Sequence, residues 1–321
     1  MRHRPTPLLF AAVLLASLVA VPPLAAQRSP FAALDGRLEA LRTRFEVPGF
    51  AVAIVRNDSI VHARGFGVRE LGRPEPVDAN TFFAIGSATK AFAAATIGLL
   101  VDEGAARWDD RVVDHLPGFR MFDPHVTREL TLRDLLTHRS GLARGDFAWY
   151  GGTYDRAEVV RRVRHLEPSW SFRSYFGYQN IMYMAAGLVV TERTGASWED
   201  VVATRVLRPL GMTASNTTVR DLEGMSNVAT PHARVGGVQA SIRPIRYRNI
   251  DNAGPAGSIN SSVAEMAQWV RLNINDGVVD GRRIISDSVV RELRTPQMVI
   301  RPEPPWTMMA PDAQFMNYGL G

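Results

Sequence analysis

Residues 87–101 constrain the fold more strongly than any other segment of this 321-residue chain. The segment contains no proline, is apolar on nearly all sides and is soon followed by Gly104. This pattern predicts a buried helix that ends at a glycine. Such a helix needs a core around it, and a chain of this length with 46% hydrophobic residues can bury one sizeable core or two subdomains.

The only lysine of the chain, Lys90, lies in this helix. Lysine and arginine together number 37, and all the others are arginine. A genome whose codons favour arginine accounts for the bias but not for the exception. Arginine stays protonated at physiological pH, whereas a desolvated lysine can lose its proton and act as a base. We therefore interpret Lys90 as a residue that transfers protons.

Ser87 precedes this lysine by three residues. Residues three apart share one face of a helix, so the hydroxyl and the amine are expected to meet. Ser87 would also lie in the first turn, where free N–H groups and the helix dipole favour a developing oxyanion. A weak hydroxyl nucleophile, a base and a donor-rich pocket are the parts of a serine acyl-transfer site. In the alternative interpretation, Ser87 caps the helix and Lys90 is a surface cation with a buried stem.

The first 26 residues have the three parts of a secretory signal. Residues 1–4 are basic, residues 8–21 are apolar, and residues 24–26 offer small side chains for cleavage. The apolar run of about 14 residues is shorter than the roughly 20 that span a bilayer, which favours a cleaved signal over an uncleaved anchor. We predict cleavage after Ala26 and a mature protein that is periplasmic or secreted.

Composition excludes several other kinds of protein. Cysteine is absent, so the exported chain would be stabilised by its core without disulfides. The formal net charge of +5 is too small and too dispersed to predict nucleic acid or, after signal cleavage, a membrane surface as a partner. The histidines form no metal-ligand motif, so we expect neither a metal nor a cofactor. G-x-S-x-G is absent, which argues against an α/β-hydrolase.

Four segments match the motifs of one family. Residues 87–90 read S-A-T-K and match S-x-x-K, residues 178–180 read Y-Q-N and match Y-x-N, residues 135–142 resemble L-L-T-H-x-S-G-L, and residues 254–258 resemble a glycine-rich segment before a surface helix. S-x-x-K alone is common, but the four in this order are specific. From about Gly49 onward, the chain resembles the serine β-lactamase and penicillin-binding superfamily, in its class C β-lactamase-like branch of esterases and D-peptidases.

The resemblance implies a role for each of four residues. Ser87 is the nucleophile, Lys90 accepts its proton, Tyr178 relays protons to the leaving group and from the deacylating water, and Asn180 orients the substrate and the lysine. We also expect the adjacent ammonium to favour the phenolate and so to lower the pKa of Tyr178. The alternative is that Tyr178 only packs under a loop with its aromatic neighbours. His138, which follows a predicted helix, is expected to be structural and to stabilise the helix end.

The predicted fold class is α/β (α+β), with an antiparallel sheet flanked by helices and an inserted all-helical subdomain, as in β-lactamases and transpeptidases. Residues 49–54 and 59–67 predict the hairpin that begins the sheet. We assign residues 27–108 and 250–321 to the α/β part and residues 109–249 to the helical part. Ser262 and Glu265 predict a capping box at the start of a helix that carries Met266, Trp269, Val270 and Ile274 on one face.

The sequence departs from the family at its end. In the resembling proteins, Y-G-L-G, here residues 318–321, is followed by further strands that carry a third motif, K-T-G or H-x-G, and a second oxyanion donor. One lost donor typically costs about 100- to 1,000-fold in rate. We therefore expect that the C-terminal strands are missing and that the sequence is a fragment of a longer protein.

Two functional hypotheses follow. The first is an exported serine hydrolase that acts through an acyl-enzyme on esters, β-lactams or D-amino-acid peptides, with a small molecule or a peptide as its partner. The second is a catalytically inactive homologue that binds peptidoglycan or peptides, or an inert fragment. An adduct on Ser87 after incubation with a β-lactam or a fluorophosphonate distinguishes the two.

Overall fold

The computed structural model describes residues 30–237, 240–301, 303–304, 308 and 310–321. The signal predicted for residues 1–26 lies outside the described residues. The helices are α1 (Ala32–Arg44), α2 (Thr89–Asp102), α3 (Val112–His115), α4 (Pro124–Glu129), α5 (Leu132–Leu135), α6 (Arg156–Arg162), α7 (Asn180–Thr194), α8 (Trp198–Val202), α9 (Gly254–Gly257), α10 (Val263–Ile274) and α11 (Asp287–Arg294). The strands are β1 (Gly49–Arg56), β2 (Ser59–Gly67), β3 (Phe82–Ala84), β4 (His232–Val235), β5 (Ser241–Pro244), β6 (Asn260–Ser262), β7 (Val278–Val279), β8 (Arg282–Arg283), β9 (Met298–Ile300) and β10 (Met316–Tyr318).

The strands of the described residues pair two by two, and every pair is antiparallel. β1 and β2 form the predicted hairpin, with Gly49 opposite Gly67 and Arg56 opposite Ser59. Strand β1 ends two residues later than predicted, at Arg56, and the turn of the hairpin is Asn57-Asp58. β3 pairs with β6, which joins residues 82–84 to residues 260–262 and brings the start of α2 beside the end of α9.

Helix α2 lies at the centre of the hydrophobic core, as its sequence predicts. A 3₁₀ turn over Gly86–Ala88 precedes it, and most residues of the helix are buried. Helices α7, α8, α9 and α11 contact it. Phe92 of α2 stacks on Trp269 of α10 with ring centroids 4.1 Å apart, which joins the central helix to the helix that covers β1 and β2. Because its residues contact neighbours on every side, α2 holds the side chains at its start in fixed positions.

Residues 109–249, which were predicted to be helical, contain α3 to α8. Among them are α5, with its capping box between Thr131 and Asp134, and α8, which continues as a π turn over Ala203–Leu207. The structure differs from the prediction at the end of this stretch, where β4 and β5 form a hairpin. Gly236 and Gly237 follow β4 at positive φ, a conformation that glycine adopts without strain and that lets the chain reverse. The division of the chain into an α/β part and a helical part stays a prediction.

The start of α10 shows one half of the predicted capping box. The Ser262 hydroxyl accepts a hydrogen bond from the Glu265 N–H at 3.3 Å. The Glu265 carboxylate does not return to Ser262 but accepts from the N–H and the hydroxyl of Ser215. The capping box is therefore replaced by a tertiary contact. On the predicted apolar face, Val270 and Ile274 are exposed in the part of the chain that the structure describes.

Candidate active site

Ser87 lies in the 3₁₀ turn that connects β3 to α2. The hydrogen bond from the Ile85 N–H to the Ile259 carbonyl, at 3.0 Å, continues the pairing of β3 with β6 up to this turn. Ser87 itself is exposed, whereas Thr89 and Lys90 are buried. The turn thus presents the serine hydroxyl at the surface directly above the buried part of the helix.

The amine of Lys90 is buried beneath this hydroxyl. Its side chain is 1% exposed, and Nζ lies 3.3 Å from Ser87 Oγ. It also donates to Asn180 Oδ1 at 2.8 Å and to the Ala256 carbonyl at 2.7 Å. The expectation that the hydroxyl and the amine meet is confirmed, and the alternative that Lys90 is a surface cation is wrong.

Burial lowers the pKa of Lys90 from 10.5 to about 7. The largest cause is the loss of hydration, which disfavours the charged form. The Arg144 guanidinium lowers the pKa further, and the Asp146 carboxylate opposes both effects. At neutral pH the amine therefore exists as a mixture of its charged and neutral forms, so it can accept a proton there.

Tyr178 contacts the same serine from the segment before α7. Its hydroxyl donates to Ser87 Oγ at 2.8 Å, and its ring centroid lies 4.9 Å from Lys90 Nζ. Burial raises the pKa of Tyr178, and the hydrogen bond with Ser87 and the Arg144 guanidinium oppose this only in part. The expected lowering of this pKa is wrong, because desolvation of the phenolate outweighs the nearby positive charges.

His138 packs against the ring of Tyr178. Its ring is fully buried and stacks on Tyr178 with centroids 4.5 Å apart. Nδ1 accepts from the Gln179 N–H at 3.0 Å, so the ring proton lies on Nε2, which is 3.2 Å from the Tyr318 hydroxyl. Burial lowers the pKa of His138 to about 3, which keeps the ring neutral. The imidazole therefore holds the segment before α7, rather than the end of the preceding helix as expected.

Asn180 begins α7 and contacts the lysine through its side-chain oxygen. The nitrogen of the same amide donates to Asp146 Oδ1 at 2.9 Å. Asp146 begins a 3₁₀ turn over Asp146–Ala148, accepts from Trp149 Nε1 at 3.2 Å and forms an ion pair with Arg144. The structure thus joins Ser87, Lys90, Tyr178 and Asn180 in one cluster of contacts.

Three contributors to this cluster were not predicted from the sequence. Arg144 and Asp146 follow the L-L-T-H-R-S-G-L segment closely, and this position was the only signal that could have indicated them. The Ala256 carbonyl lies in the glycine-rich segment, which the sequence identified without a function for its backbone. A Cβ on Gly187 of α7 would lie 2.3 Å from Pro255 Cγ, so a glycine there lets α9 approach and brings this carbonyl to the amine.

Two further observations concern metals and membranes. Within the described residues, no group of three or more histidine, aspartate or glutamate side chains could hold a metal ion. In the same part of the chain, no helix is long and apolar enough to cross a bilayer.

The fold and the site define a class of protein, the serine hydrolases with the β-lactamase fold. The chain belongs to the beta-lactamase family, whose sequence profile matches residues 34–311. It is 32% identical over 277 residues to penicillin-binding protein 4 of Amycolatopsis lactamdurans, which covers 85% of this chain and 71% of the relative. It is 29% identical over 236 residues to the unguisins hydrolase ungD' of Aspergillus campestris, which covers 70% of this chain and 44% of that relative. The chain thus spans less than half of the second relative.

Solved structures show the same fold. An octameric penicillin-binding protein homologue from Pyrococcus abyssi superposes with a TM-score of 0.75 at 24% identity, over 91% of this chain and 64% of that one. A D-amino acid amidase from Ochrobactrum anthropi SV3 superposes with a TM-score of 0.69 at 21% identity, over 83% of this chain and 73% of that one. The predicted fold class is confirmed.

Proposed function

We propose that the chain is an exported hydrolase that forms an acyl-enzyme at Ser87 and releases the acyl group to water. The observation that carries the proposal is the contact between a buried amine with a pKa of about 7 and a surface serine hydroxyl. Carboxylic esters, β-lactams and D-amino-acid peptides are the proposed substrates. The names of a relative, penicillin-binding protein 4, and of a structure with the same fold, D-amino acid amidase, support β-lactams and D-amino-acid substrates with an amide bond among these.

The neutral amine has the hydrogen-bonding pattern that the first step requires. It has two N–H donors and one lone pair. The acceptors Asn180 Oδ1 and the Ala256 carbonyl match the two donors, and the lone pair then faces Ser87 Oγ. The serine O–H can therefore donate to Nζ and transfer its proton as the oxygen attacks the substrate carbonyl carbon. The Ser87 N–H, at the start of α2, is the proposed donor to the resulting oxyanion.

Tyr178 then serves as the proton donor to the leaving group. Because its pKa is raised, its hydroxyl is protonated at neutral pH and can protonate the departing nitrogen or oxygen when the tetrahedral intermediate collapses. The proton that Lys90 took from Ser87 then returns to the phenolate, which restores both groups to the protonation states they had before the reaction. In the second half of the cycle, water attacks the acyl-enzyme, its proton passes to the same groups, and the serine leaves as the hydroxyl. Asn180 orients both the substrate and the amine.

Mass spectrometry after incubation with a labelled β-lactam or a fluorophosphonate tests the nucleophile. We expect one adduct, on Ser87, and none in Ser87→Ala. Ser174→Ala is the matched control, because the hydroxyl of that exposed serine donates to the Ser171 carbonyl within its own turn, so the variant should keep the adduct. Folded wild-type protein that gives no adduct and hydrolyses no p-nitrophenyl ester would favour the inactive, peptide-binding alternative.

Lys90→Arg tests the base. The substitution keeps a positive charge but removes the basicity, so we expect acylation to slow by about 10²- to 10⁴-fold, the usual contribution of a general base. Circular dichroism checks that the larger guanidinium does not unfold the protein. An acylation rate equal to that of the wild type would contradict the role of Lys90.

Export is tested by expressing the full chain and sequencing the N-terminus of the protein recovered outside the cytoplasm. A mature protein that begins at Gln27 is expected. Protein that stays in the cytoplasm with residues 1–26 attached would contradict this part of the proposal.

A further inference from the structure

Arg144 and Asp146 lie beside the site but have no step in the mechanism above. Gly145 between them has a φ of 61°, a left-handed conformation that glycine adopts without strain. The guanidinium and the carboxylate pair across this turn. The guanidinium carbon of Arg144 lies 5.0 Å from the ring centroid of Tyr178, so the pair borders the residues that contact the serine.

The carboxylate of Asp146 determines how the Asn180 amide is oriented. The amide oxygen can only accept hydrogen bonds and the amide nitrogen can only donate them. Asp146 accepts from Nδ2 at 2.9 Å, which leaves Oδ1 toward Lys90 at 2.8 Å. If the amide were flipped, its oxygen would face the carboxylate of Asp146, and neither group could donate a hydrogen bond. Its nitrogen would face the N–H groups of Lys90, and the two sets of donors would repel each other. Trp149 Nε1 donates to the same carboxylate oxygen and helps to hold it in place.

The electrostatic environment of the amine is set by few groups. The titratable or charged side chains around it are Tyr178, Tyr183, His138, Arg144 and Asp146. Burial raises the pKa of both tyrosines and lowers that of the histidine to about 3, so these three are uncharged at neutral pH. Arg144 and Asp146 remain as opposite charges, with side chains that are 65% and 29% exposed. The guanidinium favours the neutral amine, and the carboxylate favours the ammonium.

We propose that Arg144 and Asp146 are positioning residues of this site. Asp146 fixes the Asn180 amide with its oxygen toward Lys90, and the two residues exert opposing electrostatic effects on the amine. The inference rests on the proposed function, because these effects influence a reaction only if Lys90 accepts the Ser87 proton. Arg144 favours the neutral form of the Lys90 amine, and Asp146 keeps Asn180 Oδ1 oriented to accept a hydrogen bond from that amine.

The single lysine allows a direct test in the full chain. Lysine labelled with ¹³C at Cε gives one side-chain NMR resonance, and its shift with pH reports the protonation of Lys90 alone. We expect a wild-type midpoint at about 7. Arg144→Gln should raise the midpoint, because a cation that opposes the ammonium is removed. Asp146→Asn should lower it, because the carboxylate that favours the ammonium is removed while an oxygen remains to accept from the amide of Asn180.

A second readout links the titration to the reaction. The acid limb of the acylation rate against pH should move in the same direction as the NMR midpoint in each variant, which a purely structural role would not produce. Arg111→Ala and Asp114→Asn are matched controls, because this exposed ion pair does not act on Lys90 and should leave the midpoint unchanged. Circular dichroism and thermal unfolding establish that each variant is folded.

The outcomes separate the two proposals. Folded variants whose midpoints equal the wild-type value, or move in the same direction as each other, would overturn the inference about Arg144 and Asp146. If Ser87 is acylated with a requirement for Lys90 while the midpoints stay unchanged, the inference fails and the proposed function stands. If the midpoints move as expected but Ser87 is never acylated, the electrostatic inference stands and the proposed function fails.

Discussion

Replacing Lys90 with methionine should change how the stability of the fold depends on pH. In the folded protein this lysine has a pKa of about 7, whereas an unfolded lysine keeps 10.5. Between these values the unfolded state binds more protons at this lysine than the folded state, so the contribution of Lys90 to the free energy of unfolding rises with pH. Below about pH 7 both states are protonated, and the contribution of this group to the slope disappears. Methionine has no such dependence.

The size of the effect follows from the pKa difference. Each pH unit inside the window contributes about 1.4 kcal/mol to the free energy of unfolding. Between about pH 6 and about pH 9, the free energy of unfolding of the wild type should rise by about 2.7 kcal/mol relative to the variant. The rise is smaller than three full pH units would give, because the folded amine is still mostly protonated below about pH 7. Lys90→Met also leaves the Asn180 oxygen and the Ala256 carbonyl without their donor. That cost does not vary with pH, so it does not change the slope.

Urea unfolding followed by tryptophan fluorescence provides the measurement. Wild type and variant are unfolded at a series of pH values, and the difference between their free energies of unfolding is plotted against pH. All titrations that the two proteins share cancel in this difference. Parallel curves for the two proteins would refute the reasoning, because they would show that the amine does not titrate near neutral pH in the fold.

Three further substitutions test other parts of the structure. Tyr178→Phe removes the hydroxyl that donates to the serine and should slow acylation by a labelled β-lactam about 10²- to 10⁴-fold without unfolding the protein; a wild-type rate would exclude the proposed proton relay. Asp134→Asn replaces a fully buried carboxylate that pairs with two arginines by a neutral amide, and it should lower the free energy of unfolding in urea by about 3 kcal/mol. An unchanged urea midpoint would contradict this expectation. Gly187→Ala places a Cβ 2.3 Å from Pro255 Cγ and should cost about 1–3 kcal/mol in the same assay; a neutral effect would mean that α9 can shift away freely.

The sequence predicted the local part of the site well. Ser87 and Lys90 meet because they lie three positions apart along the 3₁₀ turn and the first turn of α2, and the apolar residues around them predicted the burial of the amine. Tyr178 and Asn180 came from the family resemblance, since no local rule joins residues about 90 positions apart. The fold class could be predicted for the same two reasons, periodic apolar patterns and the resemblance.

The rest of the site depends on tertiary contacts that leave no local pattern. The Ala256 carbonyl is a backbone group, so its role cannot be recognised from a side chain. Asp146 reaches Asn180 only because of the shape of its loop. The predicted direction of the pKa shift of Tyr178 was wrong, because the relative sizes of the effects of burial and of nearby charges can be judged only from the three-dimensional structure. The same applies to Glu265, which contacts Ser215 instead of completing a capping box.

The hydrogen bonds of Lys90 join three distant segments at a single nitrogen: the start of α2, the start of α7 and the α9 segment. If any one of these segments moves away, water reaches the amine and the pKa of Lys90 returns toward 10.5. The amine is then fully protonated at neutral pH and cannot accept a proton. An incompletely folded or newly made chain therefore holds an unactivated serine. In the proposed mechanism, the serine therefore becomes nucleophilic only when these three segments have packed together, so that acyl donors do not react with it before the fold is complete.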